Sequence, residues 1–455
     1  MPLKKNDVIE LNIESCSLSG SGIGHACDGM AVFVPASAVG DVLSVHILKV
    51  KSNYAFGKIE EIIAPSPDRE ENTCPVFPKC GGCLFRHITY DAELRLKEAQ
   101  VRENLKRIGH VEIQPDSIIP SKKIDGYRNK AQYPVSLENG TLKIGFFAPR
   151  SHRVIDCRSC LLQPESFKVI LKVVKKWIIK NNITVFDEKT GEGLLRHIYI
   201  RKAERTGEIS VSLIINGERI NGGDSLVSEL LRKVPEIKSV TVNVNREKTN
   251  VILGEKLYPI YGGKYITDVL CGLKVRLSPL SFYQVNTDQA ETLYNKAAEY
   301  AALSGNETVV DLYCGAGTIG LSMAKNAKEI IGVEIVPDAV ADAEANAALN
   351  GITNARFICA DAASAAETLK KEGVAPDVVI VDPPRKGCAP ELLKTVADMS
   401  PEKFIYISCD SATLARDCDI MRGYGYYPTK IAPVDMFPRT GHVETVCLMS
   451  RVEGK

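Results

Sequence analysis

From about residue 287 onward, helical patterns and short apolar runs alternate with a regularity that leaves few folds open. A helix predicted over 288–302 precedes the run Thr308-Val309-Val310-Asp311-Leu312-Tyr313. A helix, a strand at 329–334, a helix at 338–350, a strand at 356–360 and a helix at 362–371 follow. Then come a strand at 378–382, a helix at 390–398, a strand at 404–408, a helix at 411–422 and two closing strands. Strands that alternate with helices in this way predict a parallel sheet with helices on both faces.

The preceding residues read differently. Residues 1–62 hold about five short strands, among them Val8–Ile13, Met30–Val34 and Val42–Ile47, separated by turns rich in Gly, Ser and Asp. Short strands at this spacing predict a small closed barrel. Pro65-Ser66-Pro67-Asp68 reads as a linker. Residues 125–270 are β-rich, with one amphipathic helix near 166–180. The division is therefore a barrel (1–62), a central β-rich domain (63–270) and the α/β domain (271–455). The helical stretch within 91–118 is free to pack on the last of these.

Composition narrows the class. Apolar residues make up 45% of the chain and charged residues 25%, as in an ordinary globular protein. No stretch of eighteen apolar residues and no signal-like N-terminus occurs, so the expectation is a cytoplasmic protein without a membrane span. The net charge of +1 argues against wholesale electrostatic binding of nucleic acid. It leaves room for a local patch such as Lys122, Lys123, Arg128 and Lys130, although such a run is as often a solvated face. Fourteen cysteines in a reducing compartment are not expected to form structural disulfides.

Gly315-Ala316-Gly317-Thr318-Ile319-Gly320 joins a strand to a helix, and Glu334 lies fourteen residues past the last glycine. Glycine lets the backbone turn tightly against a ligand. An acid at the end of the next strand can accept ribose hydroxyls. Alone, this suits a dinucleotide or S-adenosylmethionine. Asp311, Asp361 and Asp382-Pro383-Pro384 close three other strands at the same sheet edge, where ligands of such sheets bind. The set resembles the class I S-adenosylmethionine methyltransferases. Amino-group methyltransferases place an aromatic residue after Asp-Pro-Pro. Arg385 stands there, which makes carbon the better target.

Cys409 ends the strand Phe404–Ser408, and Glu444 opens the last strand. Each alone has an ordinary reading, a core thiol and a surface acid. Together they have the types needed to methylate C5 of a pyrimidine. A thiolate adds to C6 and makes C5 nucleophilic, and a base later removes the C5 proton.

Several strings then resemble the RNA uracil-C5 methyltransferase family. They are Phe282-Tyr283-Gln284-Val285-Asn286, Asp382-Pro383-Pro384-Arg385-Lys386-Gly387 and Tyr406-Ile407-Ser408-Cys409 with Thr413-Leu414-Ala415-Arg416-Asp417. Asp435-Met436-Phe437-Pro438 with His442-Val443-Glu444 completes the set. The resemblance implies Cys409 as nucleophile and Glu444 as base. It implies Gln284, Tyr313, Glu334 and Asp382, with Gly315 and Gly317 of the turn, around the methyl donor. Asp410 and Arg439 depart from the family pattern, and a carboxylate at Asp410 is expected to raise the pKa of the adjacent thiol. Phe282 and Tyr283 are candidate stacking partners for a flipped base.

Cys74, Cys80 and Cys83 form a C-x5-C-x2-C trio, with Cys157 and Cys160 far downstream. The spacing suits an iron–sulfur cluster, a zinc ion or neither. The resemblance extends to a branch that acts on ribosomal RNA, carries an RNA-binding TRAM barrel, and holds a 4Fe–4S cluster. It implies Cys74, Cys80, Cys83 and Cys160 as ligands and 23S ribosomal RNA as substrate. DNA is not an expected partner, and a monomer is the expected state. A non-catalytic RNA-binding protein would need neither Cys409 nor Glu444, and a dinucleotide oxidoreductase would need no nucleophilic thiol.

Overall fold

The computed structural model describes residues 2–451, so Met1 and positions 452–455 of the third domain lie outside it. The N-terminal strands are β1 (Val8–Asn12), β2 (Ser15–Cys16), β3 (Ser21–His25), β4 (Ala31–Pro35), β5 (Val42–Val50) and β6 (Tyr54–Ala64). They form one sheet in the order β1-β5-β6-β4-β3-β2. Alternate residues point inward, so Val32, Val34, Leu43, Val45 and Ile47 make a small core. The Glu14 amide donates to the Ile23 carbonyl at 2.9 Å, which brings β3 back onto the end of β1 and curls the sheet.

Helix α1 (Tyr90–Arg107) is capped by Thr89, whose hydroxyl accepts from the Ala92 amide. Its Val101 and Leu105 enter the same core as Leu414 and Ala415 of the third domain. Its Lys97 ammonium is fully buried between Glu93 and Asp435, 2.7 Å from each. The helix therefore packs on the α/β domain.

The central domain holds β7 (Lys130–Glu138), β8 (Thr141–Phe147), β9 (Val154–Asp156), α2 (Glu165–Lys180), β10 (Leu195–Lys202), β11 (Ile209–Ile215), α3 (Gly223–Lys233), β12 (Ile237–Val244) and β13 (Lys256–Gly262). The sheet order is β13-β12-β11-β10-β7-β8-β9, and α2 and α3 contribute to the core on one face. The sequence predicted only the first of these helices. The second is required because β11 and β12 are parallel and need a crossover connection. A hairpin, β14 (Ile266–Leu270) and β15 (Leu273–Leu277), leads into the last domain.

That domain contains α4 (Thr287–Ala301), β16 (Thr308–Asp311), α5 (Thr318–Met323), β17 (Glu329–Glu334), α6 (Pro337–Leu349), β18 (Ala355–Cys359) and α7 (Ala362–Lys371). It continues through β19 (Val378–Val381), α8 (Pro390–Met399), β20 (Lys403–Ser408), α9 (Ser411–Arg422), β21 (Tyr426–Val434) and β22 (Glu444–Arg451). The sheet order is β18-β17-β16-β19-β20-β22-β21. The first five strands are parallel, and β22 runs antiparallel between β20 and β21. The chain builds outward from β16 in one direction and then returns to place β19 on its other side. The crevice past the carboxyl ends of β16 and β19 is thus the switch point where open α/β sheets bind ligands. Among the described residues, no helix is long and apolar enough to cross a membrane.

Candidate active site

The glycine turn lies at that switch point. Gly315 and Gly317 have φ of +54° and +78°, the left-handed region in which a side chain is strained. A Cβ on Gly317 would also stand 3.0 Å from Leu321 and 3.1 Å from Ala343. Glu334, half-buried at the end of β17, accepts from the Gly315 amide at 3.1 Å and the Val336 amide at 2.9 Å. The acid is therefore fixed against the turn it serves. Asn346 donates to the Ala316 carbonyl at 3.1 Å and holds the turn from α6.

Asp311 accepts from the Gly320 amide at 3.2 Å with one oxygen, while its other oxygen has no partner. Burial pushes its pKa up to about 7. Asp382, one residue past β19, is likewise raised, first by burial and then by the charge of Asp311. Tyr313 is half-buried beside Cys388. Gln284 is buried, and its carbonyl accepts from Asn129 at 2.9 Å. Asn286 donates to the Met436 carbonyl at 3.1 Å, pinning this loop to the segment before β22.

The register explains how Cys409 and Glu444 meet. Ser408 of β20 pairs with Thr445 of β22, so the next positions outward are Cys409 and Glu444. Val381 pairs with Tyr406, so Asp382 leaves the sheet alongside them. Cys409 is half-buried and Glu444 is 4% exposed. Burial pushes the thiol pKa up to about 11, helped by the charges of Glu444 and Asp382 and opposed by Arg385. Glu444 is held well above the usual carboxylate range by burial and then by Asp382, again with Arg385 opposing. Arg385 donates to His442 at 3.1 Å.

Asp410, next to Cys409, has a second task. Its carboxylate caps α9, accepting from the Ala412 and Thr413 amides at 2.9 and 3.1 Å. Arg439 is buried with φ of +68°, pairs with Glu70 at 2.7 Å and donates to the Ile88 carbonyl at 2.9 Å. It ties the segment after the barrel to the active-site loop. Tyr283 is not available for stacking: it is buried and its hydroxyl donates to Asp268 at 3.0 Å. Phe282 beside it is 71% exposed.

Lys123 is paired with Glu204 at 2.8 Å, so the basic run is partly neutralised. Lys130 is half-buried, and burial with Arg201 and Arg128 nearby lowers its pKa to about 8. Asp417 carries no role readable from sequence, yet it organises the loop after Asp382. Fully buried, it accepts from the Tyr406 hydroxyl at 2.6 Å, the Cys388 amide at 2.9 Å and Arg416 at 2.8 Å.

The four cysteines singled out for a metal are neighbours. Cys83 and Cys160 share a cluster with Tyr127 and Leu162, and burial pushes Cys83 up to about 12. Cys80 is raised by burial and then by Cys160 and Cys74. Cys157 also lies against Cys160. Among the described residues, however, no three His, Cys, Asp or Glu side chains converge as a metal site requires. The thiols share a neighbourhood without a ligand geometry.

A family profile described as "tRNA (Uracil-5-)-methyltransferase" matches residues 89–452, and a TRAM domain profile matches residues 2–59. A protein of Clostridium tetani named "Uncharacterized RNA methyltransferase" is 42% identical over 450 residues, covering 99% of this chain and 98% of its own. A similarly named protein of Halalkalibacterium halodurans is 44% identical over 451 residues, covering 98% of both chains. Among solved structures, the Pyrococcus abyssi tRNA (uracil-54, C5)-methyltransferase in complex with S-adenosyl-L-homocysteine superimposes with a TM-score of 0.79 at 26% identity. It covers 96% of this chain and 99% of its own. The chain therefore belongs to the RNA uracil-C5 methyltransferase family and carries a TRAM domain at its N-terminus.

Proposed function

We propose that this protein transfers a methyl group from S-adenosylmethionine to C5 of a uridine in 23S ribosomal RNA. The observation that carries the chemistry is the β20–β22 register, which supports Cys409 and Glu444 acting on one base from the edge that also bears Asp382. When bound, the donor supplies an electrophilic methyl carbon. The Cys409 thiolate adds to uracil C6, and the C5–C6 electron pair moves to C5, which takes the methyl group as the methyl carbon–sulfur bond breaks and S-adenosylhomocysteine is released. Glu444 then removes the C5 proton. The electrons left at C5 re-form the double bond to C6 as the C6–sulfur bond breaks, freeing the thiolate. Arg385 favours the charged forms of both Cys409 and Glu444. Phe282 is the exposed ring available to stack on the extruded base.

The gathered cysteines support a ribosomal substrate, as the sequence resemblance implies. A second reading, transfer RNA, is favoured by one observation. The match to the Pyrococcus abyssi enzyme spans 96% of the chain, so the barrel does not separate the two substrates. Incubation with labelled donor and unmodified ribosomal and transfer RNA in parallel decides between them. Label at a uridine of 23S RNA is expected. Label in transfer RNA alone would establish the second reading, and label in neither would sink both. The 4Fe–4S cluster, with zinc as its alternative, is supported only by the nearness of Cys74, Cys80, Cys83 and Cys160. Anaerobically purified protein with zinc and no iron would overturn it. The proposed location is the cytoplasm.

A further inference from the structure

The central domain holds an open cavity of about 1560 Å³ that the reaction does not use. On its wall, Phe147 of β8 stacks against His152 with ring centres 5.0 Å apart and planes 27° apart. The ring of His197 stands edge-on to the same Phe147 at 6.3 Å. Arg196 lies 4.5 Å over the ring of Phe186. His197 is only 7% exposed, and neither of its ring nitrogens has a hydrogen-bond partner. Burial and then Arg196 lower its pKa to about 4, so the imidazole is neutral and offers one donor and one acceptor. A buried ring with both nitrogens unmatched is unusual unless something else satisfies them.

The charges choose among ligands. Arg153, Lys175, Lys189 and Arg196 face the cavity, but so do Glu138, Asp187, Glu188 and Glu192. Such a balance is wrong for a run of phosphates, which needs a surplus of cations. It suits an uncharged planar group with hydrogen-bonding edges. His152 has the position such a group would take, and besides the stacking on Phe147 it is held by a contact with Glu188 at 2.6 Å on an exposed surface. It is easily displaced.

The geometry points to this cavity as a second binding site for an unpaired base of the substrate RNA, stacked on Phe147 in the place of His152 and hydrogen-bonded to His197. The assignment rests on the RNA reading above but concerns a different domain from the chemistry. It would anchor a single-stranded segment away from the target uridine.

The test uses the full-length protein and an unmodified 23S transcript containing 4-thiouridine. Ultraviolet crosslinking followed by peptide mapping is expected to find adducts in 147–152 or 186–197. Phe147→Leu keeps the apolar bulk and loses the ring face. It should weaken RNA binding roughly tenfold, with turnover at saturating RNA unchanged. Phe147→Tyr should restore binding, and His152→Ala, at an exposed position, should tighten it. Crosslinks only elsewhere, or Phe147→Leu binding as wild type does while methylation proceeds, would overturn this site and leave the proposed function standing. Wild-type protein that neither binds nor methylates RNA would overturn both.

Discussion

Three carboxyl groups and a thiol share one sheet edge with a single arginine near them. Asp311, Asp382, Glu444 and Cys409 are all raised, chiefly by burial; the charge of Glu334 adds to this at Asp311, that of Asp311 at Asp382, that of Asp382 at Glu444, and those of Glu444 and Asp382 at Cys409. Such a site has too much latent negative charge for itself and is suited to a cation. A sulfonium donor provides one. With their pKa values raised toward neutrality, these carboxyls gain protons more readily than free ones do, and a bound cation favours their ionised forms. Donor affinity is therefore expected to rise with pH between about 6 and 8, with proton release on binding. The neutral product, S-adenosylhomocysteine, should show little of either. Calorimetry in buffers of different ionisation enthalpy measures both, and equal behaviour of donor and product would contradict the electrostatic reading. Glu444→Gln should cut turnover by roughly 10²- to 10⁴-fold while the adduct with ordinary uridine accumulates, because addition precedes proton removal. Denaturing gels with unmodified RNA would detect that adduct, and a variant that turns over without accumulating it would remove Glu444 from this role.

At the scale of elements, the site depends on register and on one helix cap. A slip of one residue between β20 and β22 would turn Cys409 and Glu444 to opposite faces. Cys409 was legible as a strand-end thiol on the cofactor edge, because parallel strands all finish at that edge. Glu444 was harder, since only the observed pairing shows how an antiparallel strand inserts between β20 and β21. The α9 cap gives Asp410 a structural role that its place beside Cys409 did not announce. Asp410→Ala should cost about 1 kcal/mol through the lost cap, whereas Asp410→Asn keeps a capping oxygen and should retain activity within a few-fold. Urea unfolding and initial rates test the pair. Loss of stability in the Asn variant equal to that in Ala would show that the cap is not what Asp410 supplies.

At the scale of the molecule, the domains are joined by buried charges whose partners lie far apart in sequence. Lys97 sits between Glu93 and Asp435 with no exposure, and the Tyr90 hydroxyl donates to the same Asp435 at 2.6 Å. No local pattern announces a contact across more than three hundred residues. The same limit hid the burial of Tyr283, because residue type alone does not show that its hydroxyl reaches Asp268. Periodicity could reveal the alternating sheet, the curled barrel and the amphipathic α2. It missed α3, whose need arises only from the parallel pairing of β11 and β12. Lys97→Met leaves Asp435 buried without its ammonium and Glu93 with only the Arg439 guanidinium, at 3.9 Å, as its cation, and should cost about 3–5 kcal/mol, read from denaturant midpoints. A loss below about 1 kcal/mol would mean the cluster is solvated. The most direct test of the central claim uses every domain at once. The intact protein is incubated with S-adenosylmethionine and unmodified 23S RNA containing 5-fluorouridine, which blocks removal of the C5 substituent. A protein–RNA complex that survives denaturation, joined through Cys409 and absent from Cys409→Ala, is the predicted result. Wild type that methylates ordinary RNA yet traps none of the fluorinated RNA, or an alanine variant that traps as much, would contradict it.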